Sequence, residues 1–236
     1  MKILFAASEL KNRGGKELKF ELNKLFLNEI SPLRKTLIAE YFEALKIEKY
    51  KKEMLKNYDE KEIDFKILLP AIERYEGVAY KALDFATLTK TQKEFLLEKT
   101  VIFSNLFGVL LAKDEIPYYH LRQGATIGDA NQYKLYQKEL KEPLDRAFKD
   151  SLIVDLRPIF YDKIYLLKYP HITFKFYKNG KIQSHYAKFY RGELLRQIAI
   201  EHPLTKEAVI NLKPKGLRLI EIMQLGIKTQ LNYEII

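Results

Sequence analysis

The order of apolar and polar positions along the chain predicts both strands and helices. A short apolar run at 2–7 predicts a buried first strand, and the run at 152–156 is typical of a central strand that is buried on both faces. The apolar run that begins at 101 is broken by Ser104-Asn105 and Gly108, which favours a core strand followed by a turn. A helix-turn that presents backbone N–H groups to phosphate is the functional alternative for this run.

The second half of the chain carries the clearest hairpin signal. Asn179-Gly180 separates two β-favouring runs at 172–177 and 181–187, and this dipeptide suits the positive φ angles of a tight hairpin turn. Two closing strands are predicted at 217–222 and 227–235, on either side of Gly226.

Helical periodicity and capping residues predict several helices. They are a helix that starts at Ser31-Pro32, one capped by Thr89 or Thr91 and ending near Lys99, one over 135–148 with a break at Pro143, and a short one capped by Thr205. The segment 46–66 holds seven lysines against six acids, so it is nearly neutral and predicts a solvated helical face instead of a binding surface.

The segment 184–201 changes its pattern at Gly192. Its first part alternates, which predicts a strand, and the part after Gly192 has helical spacing. On this interpretation Lys188, Arg191 and Arg196 lie at and just after a helix start, where free N–H groups and the helix dipole favour a phosphate. The alternative is that these residues are solvated and that Arg196 pairs with an acid on its own helix.

Together these elements predict one domain over residues 1–236 of mixed α/β (α+β) class, with a mixed central sheet flanked by helices. The length of 236 residues and the 47% hydrophobic content allow one sizeable core. We find no linker, internal repeat or low-complexity tract that argues for two domains.

Charge is concentrated in one part of the chain. The formal net charge is +10, and residues 163–196 hold eight basic side chains against Glu193 alone, a balance of 8 − 1 = +7. Eight aromatic side chains are interleaved with them. Cations neutralise phosphates and aromatic faces can stack on bases, so this pattern favours a nucleic-acid partner. Alternating aromatic residues are also common in cores, so we assign stacking to none of them individually.

Composition also excludes some classes of chemistry. The absence of cysteine rules out disulfides, thiolate metal ligands and a peroxidatic thiol. No apolar stretch reaches the ~20 residues of a membrane helix, and the first residues lack a signal-peptide core. We therefore expect a cytoplasmic, soluble monomer that has no membrane partner.

Four segments in the same order resemble the YaaA family of bacterial peroxide stress proteins. FSNLFGVL at 103–110 resembles that family's LSGLYGVL, and HYAKFYRGELLRQIAIEHPLTK at 185–206 is similar to FYAKxxRGxxxRxIIExxLTK. EGVAYKAL at 76–83 resembles GDVYxGL, and KILFAASELK at 2–11 stands where the family has a strand followed by SPAKT. The resemblance spans nearly the whole chain.

Several residues match the family motifs by position: Ser8 and Lys11 in the first loop, Gly108 as the hairpin glycine, and Lys188, Arg191, Gly192 and Arg196 in the AK…RG…R series. Others depart from them: Glu9 and Leu10 replace Pro-Ala, Asn105 replaces Gly, Leu111 and Ala112 replace Arg-Pro, His120 and Arg122 replace Arg and Glu, and the segment 155–161 lacks most of the NLAS signature.

The resemblance implies a mixed α/β domain with a basic cleft and DNA binding through a helix-hairpin-helix-like element. It also implies a role in the oxidative stress response that limits DNA damage and unincorporated iron. We expect no cofactor. For contacts to duplex or distorted DNA we expect the residues Ser8, Lys11, Lys175, Lys181, Lys188, Arg191 and Arg196.

Two alternatives stay open. The same cleft would hold the nucleotide or modified base on which an enzyme acts, with acid or base candidates Asp155, Glu201, His120 and His185. Iron binding is the other, although no two of the four histidines have a metal-ligand spacing. The motifs therefore assign no catalytic residue and no metal ligand.

Overall fold

The fold was analysed in a computed structural model. It describes residues 1–56 and 58–236 and, at His185, the backbone only. Eleven strands are found in these residues: β1 Lys2–Ala6, β2 Lys16–Glu17, β3 Asp64–Pro70, β4 Thr100–Ser104, β5 Gly108–Leu111, β6 Glu115–Tyr118, β7 Ile153–Asp155, β8 His171–Lys178, β9 Lys181–Ile182, β10 Leu217–Leu225 and β11 Lys228–Ile235.

Eight α-helices lie between the strands in the same described residues. They are α1 Ser31–Leu45, α2 Glu48–Leu55, α3 Ala71–Arg74, α4 Val78–Leu83, α5 Lys90–Lys99, α6 Gln132–Phe148, α7 Ser184–Glu201 and α8 Lys206–Ile210. The mixed α/β class predicted from the sequence is confirmed.

The main sheet has the strand order β10-β11-β8-β7-β1-β4-β5, with β9 paired to β8. Strands β11, β8, β7, β1 and β4 are parallel, whereas β5, β9 and β10 run antiparallel to their neighbours. A smaller antiparallel sheet has the order β2-β3-β6. The predicted strand at 152–156 is confirmed as β7, which lies between β8 and β1 near the middle of the main sheet.

Two buried side chains of α1 anchor this helix to the core through hydrogen bonds to backbone carbonyls. Arg34 on α1 is fully buried and donates to the carbonyl oxygens of Phe107 at 3.0 Å and Val109 at 2.6 Å. Arg34 therefore ties α1 to the β4–β5 turn, and the backbone carbonyls compensate for the burial of its charge. Tyr41 adds a second link, from α1 to the carbonyl of His120 at 2.6 Å.

The predicted strand–helix switch at Gly192 is wrong. Residues 184–201 form one continuous helix, α7, with Gly192 in its interior. Ala187, Tyr190, Leu194 and Ile198 are buried along one face of α7 at helical spacing. The buried positions recur at helical spacing, and of the three aromatic residues of the segment Tyr190 alone is among them. The segment therefore packs as a helix and has no strand end that could deliver Lys188 and Arg191 to a helix start.

Gly192 is therefore a packing glycine, not a turn. A Cβ atom at this position would lie 2.0 Å from the carbonyl oxygen of Ala79 and 2.8 Å from the Cβ of Ala82. Helices α4 and α7 cross at this point, and only glycine allows their backbones to approach so closely. Gly108, in contrast, begins β5 just after the β4–β5 turn with φ +74°, and Tyr136 packs directly against it.

Two other predictions are corrected. Helix α6 continues through Pro143 without a break, and strand β9 ends at Ile182 because the chain enters α7 at Ser184. The helix predicted to start at Ser31-Pro32 is confirmed as α1, although the Ser31 hydroxyl donates to the carbonyl of Leu22 and does not cap the helix. The caps at Thr89 and Thr205 are confirmed, since each side chain accepts a hydrogen bond from the first turn of its helix. Within the part of the chain that the structure describes, no helix has the length and apolar content needed to cross a membrane.

Candidate functional site: a cleft at the carboxyl ends of the parallel strands

A cleft opens where the order of the parallel strands reverses. From β1 the chain moves outward to β4 and β5 on one side, and it later returns to β7 on the other side before it continues to β8 and β11. In open α/β sheets such a switch point leaves a crevice beyond the carboxyl ends of the strands, and ligands bind in that crevice. Here the loops that follow β1 and β7 lie side by side at this edge.

The cleft has three adjoining compartments. The inner cavity has room for about 20 Å³ and is lined by Lys11, Asn105 and Tyr161. The middle pocket, of about 320 Å³, lies between the loop after β1, helix α4 and helix α7. The outer groove, of about 660 Å³, extends over β7, β8 and the start of α7. Gln123 lines all three compartments, so they form one continuous cleft.

Lys11 is the most perturbed cation of the cleft. Its side chain is 7% exposed, and its Nζ donates to the carbonyl oxygens of Ser8 and Glu9, both at 3.2 Å. The ammonium lies 4.2 Å from the centre of the Tyr119 ring and 5.5 Å from that of Tyr75. Burial lowers the pKa of Lys11 to about 7. Near neutral pH this amine is therefore partly uncharged.

Asn105 faces the same inner cavity. It is 7% exposed, and its Oδ1 has no hydrogen-bond partner among the residues that the structure describes. A buried amide oxygen without a partner is costly, and native proteins usually satisfy such groups. A cavity of this size holds about one water molecule. The polar groups of Asn105 and Lys11 therefore line a small cavity and are not fully enclosed by packed side chains.

Lys188 and Arg191 stand at the border of the middle pocket and the outer groove. They are three residues apart on α7, so both side chains project from one face of the helix. Burial lowers the pKa of Arg191, and Asp155 opposes this shift. However, Arg157 already holds the Asp155 carboxylate at 2.9 and 3.0 Å. Among the described residues, no hydrogen bond or ion pair neutralises the Arg191 guanidinium.

The structure brings together five of the seven residues predicted to contact DNA. Ser8 and Lys11 follow β1, Lys188 and Arg191 come from α7, and Lys175 comes from β8. Lys175 reaches the outer groove because β8 extends beyond β7, whose last residue pairs with Thr173. These segments are far apart in the sequence, and the sheet edge places them in one cleft.

Arg196 and Lys181 do not line the cleft in the described structure. Arg196 donates to the carbonyl oxygens of Leu83 and Asp84, at 2.8 and 2.9 Å, and to the Thr87 hydroxyl. It therefore caps the carboxyl end of α4, and the predicted pairing of Arg196 with an acid on its own helix is replaced by this contact. Lys181 is exposed on the short strand β9.

The acid and base candidates have structural contacts. Asp155 pairs with Arg157, and Glu201 accepts a hydrogen bond from Gln197. His120 stacks on Tyr58, and burial, with Lys11 and Arg13 nearby, lowers its pKa to about 3 despite a Glu62 oxygen at 3.8 Å. The side chain of His185 lies outside the described part of the structure. Over the residues that are described, no three His, Asp or Glu side chains converge in a way that could hold a metal ion.

Sequence reasoning missed three residues of the cleft. Gln123 follows no motif and reaches the cleft from the loop after β6. Arg157 lies in the segment that lacks most of the family's NLAS signature, so no motif selected it. Its position two residues after the central strand β7 is a signal that could have placed it at the sheet edge. Asn105 was noted only as a replacement for glycine, and the whole stretch from Phe103 to Leu110 is a buried β-hairpin without a helix-turn.

Comparison with known proteins identifies the family. A family model described as peroxide stress protein YaaA matches residues 1–222. The chain belongs to this family. The resemblance that was inferred from the motifs is therefore confirmed, and the YaaA family is a family of the peroxide stress response by its description.

Curated relatives of this YaaA family member cover most or all of its length. It is 39% identical to an uncharacterized protein of Campylobacter jejuni over 100% of both chains. It is 32% identical to a UPF0246 protein of Corynebacterium glutamicum over 85% of each chain. A UPF0246 protein of Malacoplasma penetrans is 28% identical, over 99% of this chain and 96% of the relative.

Proposed function

We propose that this YaaA family member binds DNA in the cleft at the carboxyl ends of β1 and β7, as part of a cytoplasmic response to peroxide. In this role it limits DNA damage and the effects of unincorporated iron. The observation that carries the DNA-binding part is the pair Lys188 and Arg191, two cations on one face of α7 that line a continuous cleft. Arginine and lysine in such a position suit phosphate oxygens.

The charges of the cleft support a modest number of phosphate contacts. Lys175, Lys188, Arg191 and Lys228 line the cleft and have no acidic partner among the described residues, whereas Arg157 is paired with Asp155 and Asp162. Four unpaired cations predict a slope of about −3.6 when the logarithm of the association constant is plotted against that of the salt concentration. A slope of this size is smaller in magnitude than the slope expected from the net charge of +10.

The helix-hairpin-helix-like element that the family resemblance implies is also part of the proposal. The buried β4–β5 hairpin offers no surface for it. We therefore assign the helix-hairpin-helix-like element to α4 and α5. The short connection between these helices is held by the hydrogen bonds of Arg196 to the carbonyl oxygens of Leu83 and Asp84.

A salt series tests the proposal. Fluorescence anisotropy of duplex, bulged and single-stranded DNA should give association constants that fall with salt at the slope of about −3.6. The Lys188→Ala and Arg191→Ala variants should each weaken binding on every sequence and reduce the magnitude of the slope by about 1, because phosphate contacts do not read bases. Lys138→Ala, a change at an 82% exposed lysine on α6, is the matched control.

Two results would contradict DNA binding in the cleft. One is a flat salt response of the unchanged protein. The other is an equal loss of affinity in all three variants, because that result would indicate a general effect of charge instead of a defined site.

Lys11 favours a second candidate function, an enzyme that acts on a nucleotide or a modified base. Its amine is buried, has a pKa of about 7 and faces the inner cavity beside Asn105, as is typical of a general base or a nucleophile. Incubation with nucleotides and with oligonucleotides that carry oxidised bases, followed by mass spectrometry, tests it. The enzyme hypothesis predicts a product that Lys11→Met abolishes, and unchanged substrates throughout would reject it.

A further inference from the structure

We infer that the middle pocket binds one unstacked nucleobase of a DNA strand, whose adjoining phosphate lies on Lys188 and Arg191. This inference rests on the proposed DNA binding and specifies how the DNA is held. The inference comes from the shape and chemistry of the middle pocket. Lys188 and Arg191 line only one side of this pocket, and the rest of its lining suits a group other than a phosphate.

The size of the pocket admits one base and excludes a duplex. Its volume of about 320 Å³ lies at the low end of the range for small-molecule sites. Small side chains line this space: Ala6 is the last residue of β1, Ala7 follows it, and Ala79 comes from α4. A base that enters the pocket must therefore leave its stack, which costs least where the DNA is bulged or mismatched.

The walls of the pocket are apolar and rigid. Tyr80 packs edge-on against Phe5, with ring centres 5.3 Å apart, and its hydroxyl donates to the carbonyl of Ala6 at 2.9 Å. Leu156 and Pro158 close the opposite side. Apolar side chains that are already fixed by packing suit the face of a base, because little entropy is lost when the base packs against them.

Polar groups stand at the edges of the pocket. Ser8 and Gln123 line it near the inner cavity, and Glu76 lines it on the side of α4. Hydroxyl, amide and carboxylate groups can together accept from and donate to the edge of a base. The pocket thus combines an apolar floor with a few directional polar groups, as nucleobase sites require.

The outer groove favours a strand over a free nucleotide. Lys188 and Arg191 line both compartments, so a phosphate bound between them would have its base in the middle pocket and its neighbours in the outer groove. The groove has about 660 Å³ of space, and it continues past Lys175 and Lys228. A free mononucleotide would leave this second compartment unused.

The test compares two duplexes that differ by one base. Each has a single-nucleotide bulge, which carries a normal base in one duplex and a tetrahydrofuran residue without a base in the other. We expect the unchanged protein to bind the bulge with a base about 10-fold more tightly, because packing of one base on apolar and aromatic side chains has this magnitude. Anisotropy titrations at one salt concentration give the ratio of the two dissociation constants.

Val78 and Ile47 provide a matched pair of variants. Val78 is 52% exposed at the mouth of the middle pocket, and Ile47 is 51% exposed and lines none of the three compartments, so a larger side chain at either position should leave the fold intact. Val78→Phe should narrow the pocket and bring the ratio close to 1. Ile47→Phe should keep the ratio. A circular-dichroism melt of each variant checks that it is folded.

The outcomes separate this inference from the proposed function. Two results would overturn the base pocket and leave DNA binding in place. One is tight, salt-dependent binding by the unchanged protein with equal dissociation constants for the two duplexes. The other is a preference for the bulge with a base that remains in Val78→Phe. Failure to bind either duplex would overturn DNA binding itself. A deoxynucleoside monophosphate that binds as tightly as the bulged duplex and displaces it would identify a free nucleotide as the ligand and overturn the extruded base.

Discussion

At the scale of single residues, Lys11 is the side chain that fits least with a purely structural role. A buried ammonium ordinarily has a carboxylate partner, yet the hydrogen bonds of Lys11 go to two backbone carbonyls. Aromatic rings of Tyr75 and Tyr119 supply the remaining stabilisation. Burial of this amine lowers the stability of the fold at neutral pH, which is typical of a residue retained for function.

The pKa of Lys11 gives the fold a measurable dependence on pH. The folded protein loses the Lys11 proton near pH 7, whereas the unfolded chain keeps it until about pH 10.4. Between these values the unfolded chain binds more protons, so the free energy of unfolding rises with pH. We expect Lys11 to contribute an increase of about 2 kcal/mol between pH 7 and pH 9.

Urea unfolding of the unchanged protein and of Lys11→Met at pH 7, 8 and 9 measures this contribution. The variant should lack most of the increase, because methionine fills a similar volume and does not titrate. Parallel curves for the two proteins would show that the amine is not perturbed. Lys138→Met, at an exposed lysine, is the control and should keep the full increase.

From the sequence alone, a functional role could be predicted only for those cleft residues that belong to a family motif. Ser8 and Lys11 were found through the family motif, but nothing in the residue order indicated that Lys11 is buried under two tyrosines. Gln123 escaped notice because a loop residue acquires its place from the elements around it. Burial is a property of the folded chain, so the pKa of Lys11 could not be predicted from the sequence.

At the scale of elements, helix α7 organises the cleft. It carries Lys188 and Arg191 toward the cleft, and Gly192, the next residue, packs on α4. Arg196 caps α4 one turn later. The distance between α4 and α7 therefore sets the width of the middle pocket, which both helices line.

Gly192→Ala tests this packing, because helix propensity and overpacking predict changes of opposite sign in the free energy of unfolding. Helix propensity alone would make alanine more stable than glycine by about 1 kcal/mol. The added Cβ, however, would meet a backbone oxygen at 2.0 Å, and overpacking of this kind costs about 1–3 kcal/mol. We expect net destabilisation, measured as a lower urea midpoint.

Gly14→Ala is the control, because a Cβ atom there would meet only the side chain of Asn12, at 3.2 Å, and no backbone atom. It should change the midpoint much less. An increase in stability of Gly192→Ala would show that α4 and α7 are free to separate, and it would contradict a pocket of fixed width.

The error at α7 has a clear physical cause. Tyr186, Phe189 and Tyr190 have high β propensity, which favoured a strand, although their spacing of three and four residues fits a helix. In the folded protein Tyr190 packs inward while Tyr186 and Phe189 are 49% and 41% exposed. Tertiary packing against α4 decides the conformation, and local propensity does not contain that information. The strands β1, β4 and β7 were easier to predict because their burial is continuous along the chain.

At the scale of the whole molecule, the strand order explains why distant residues meet. The reversal between β1 and β7 opens one edge of the sheet, and the extension of β8 past β7 adds Lys175 to it. The sequence predicted most strands and the class of the fold. It could not predict the strand order, because pairing between distant strands leaves little trace in the local pattern.

The central claim is that DNA lies in this cleft, and site-specific cross-linking tests it most directly. The chain has no cysteine, so a single introduced thiol is unique. Gln123→Cys places it where the three compartments meet, and Gln137→Cys places it at an exposed position on α6. We predict that bulged DNA with a disulfide-activated tether at the phosphate beside the bulge cross-links Gln123→Cys and leaves Gln137→Cys largely unmodified. Equal cross-linking of both, or preference for Gln137→Cys, would contradict the claim.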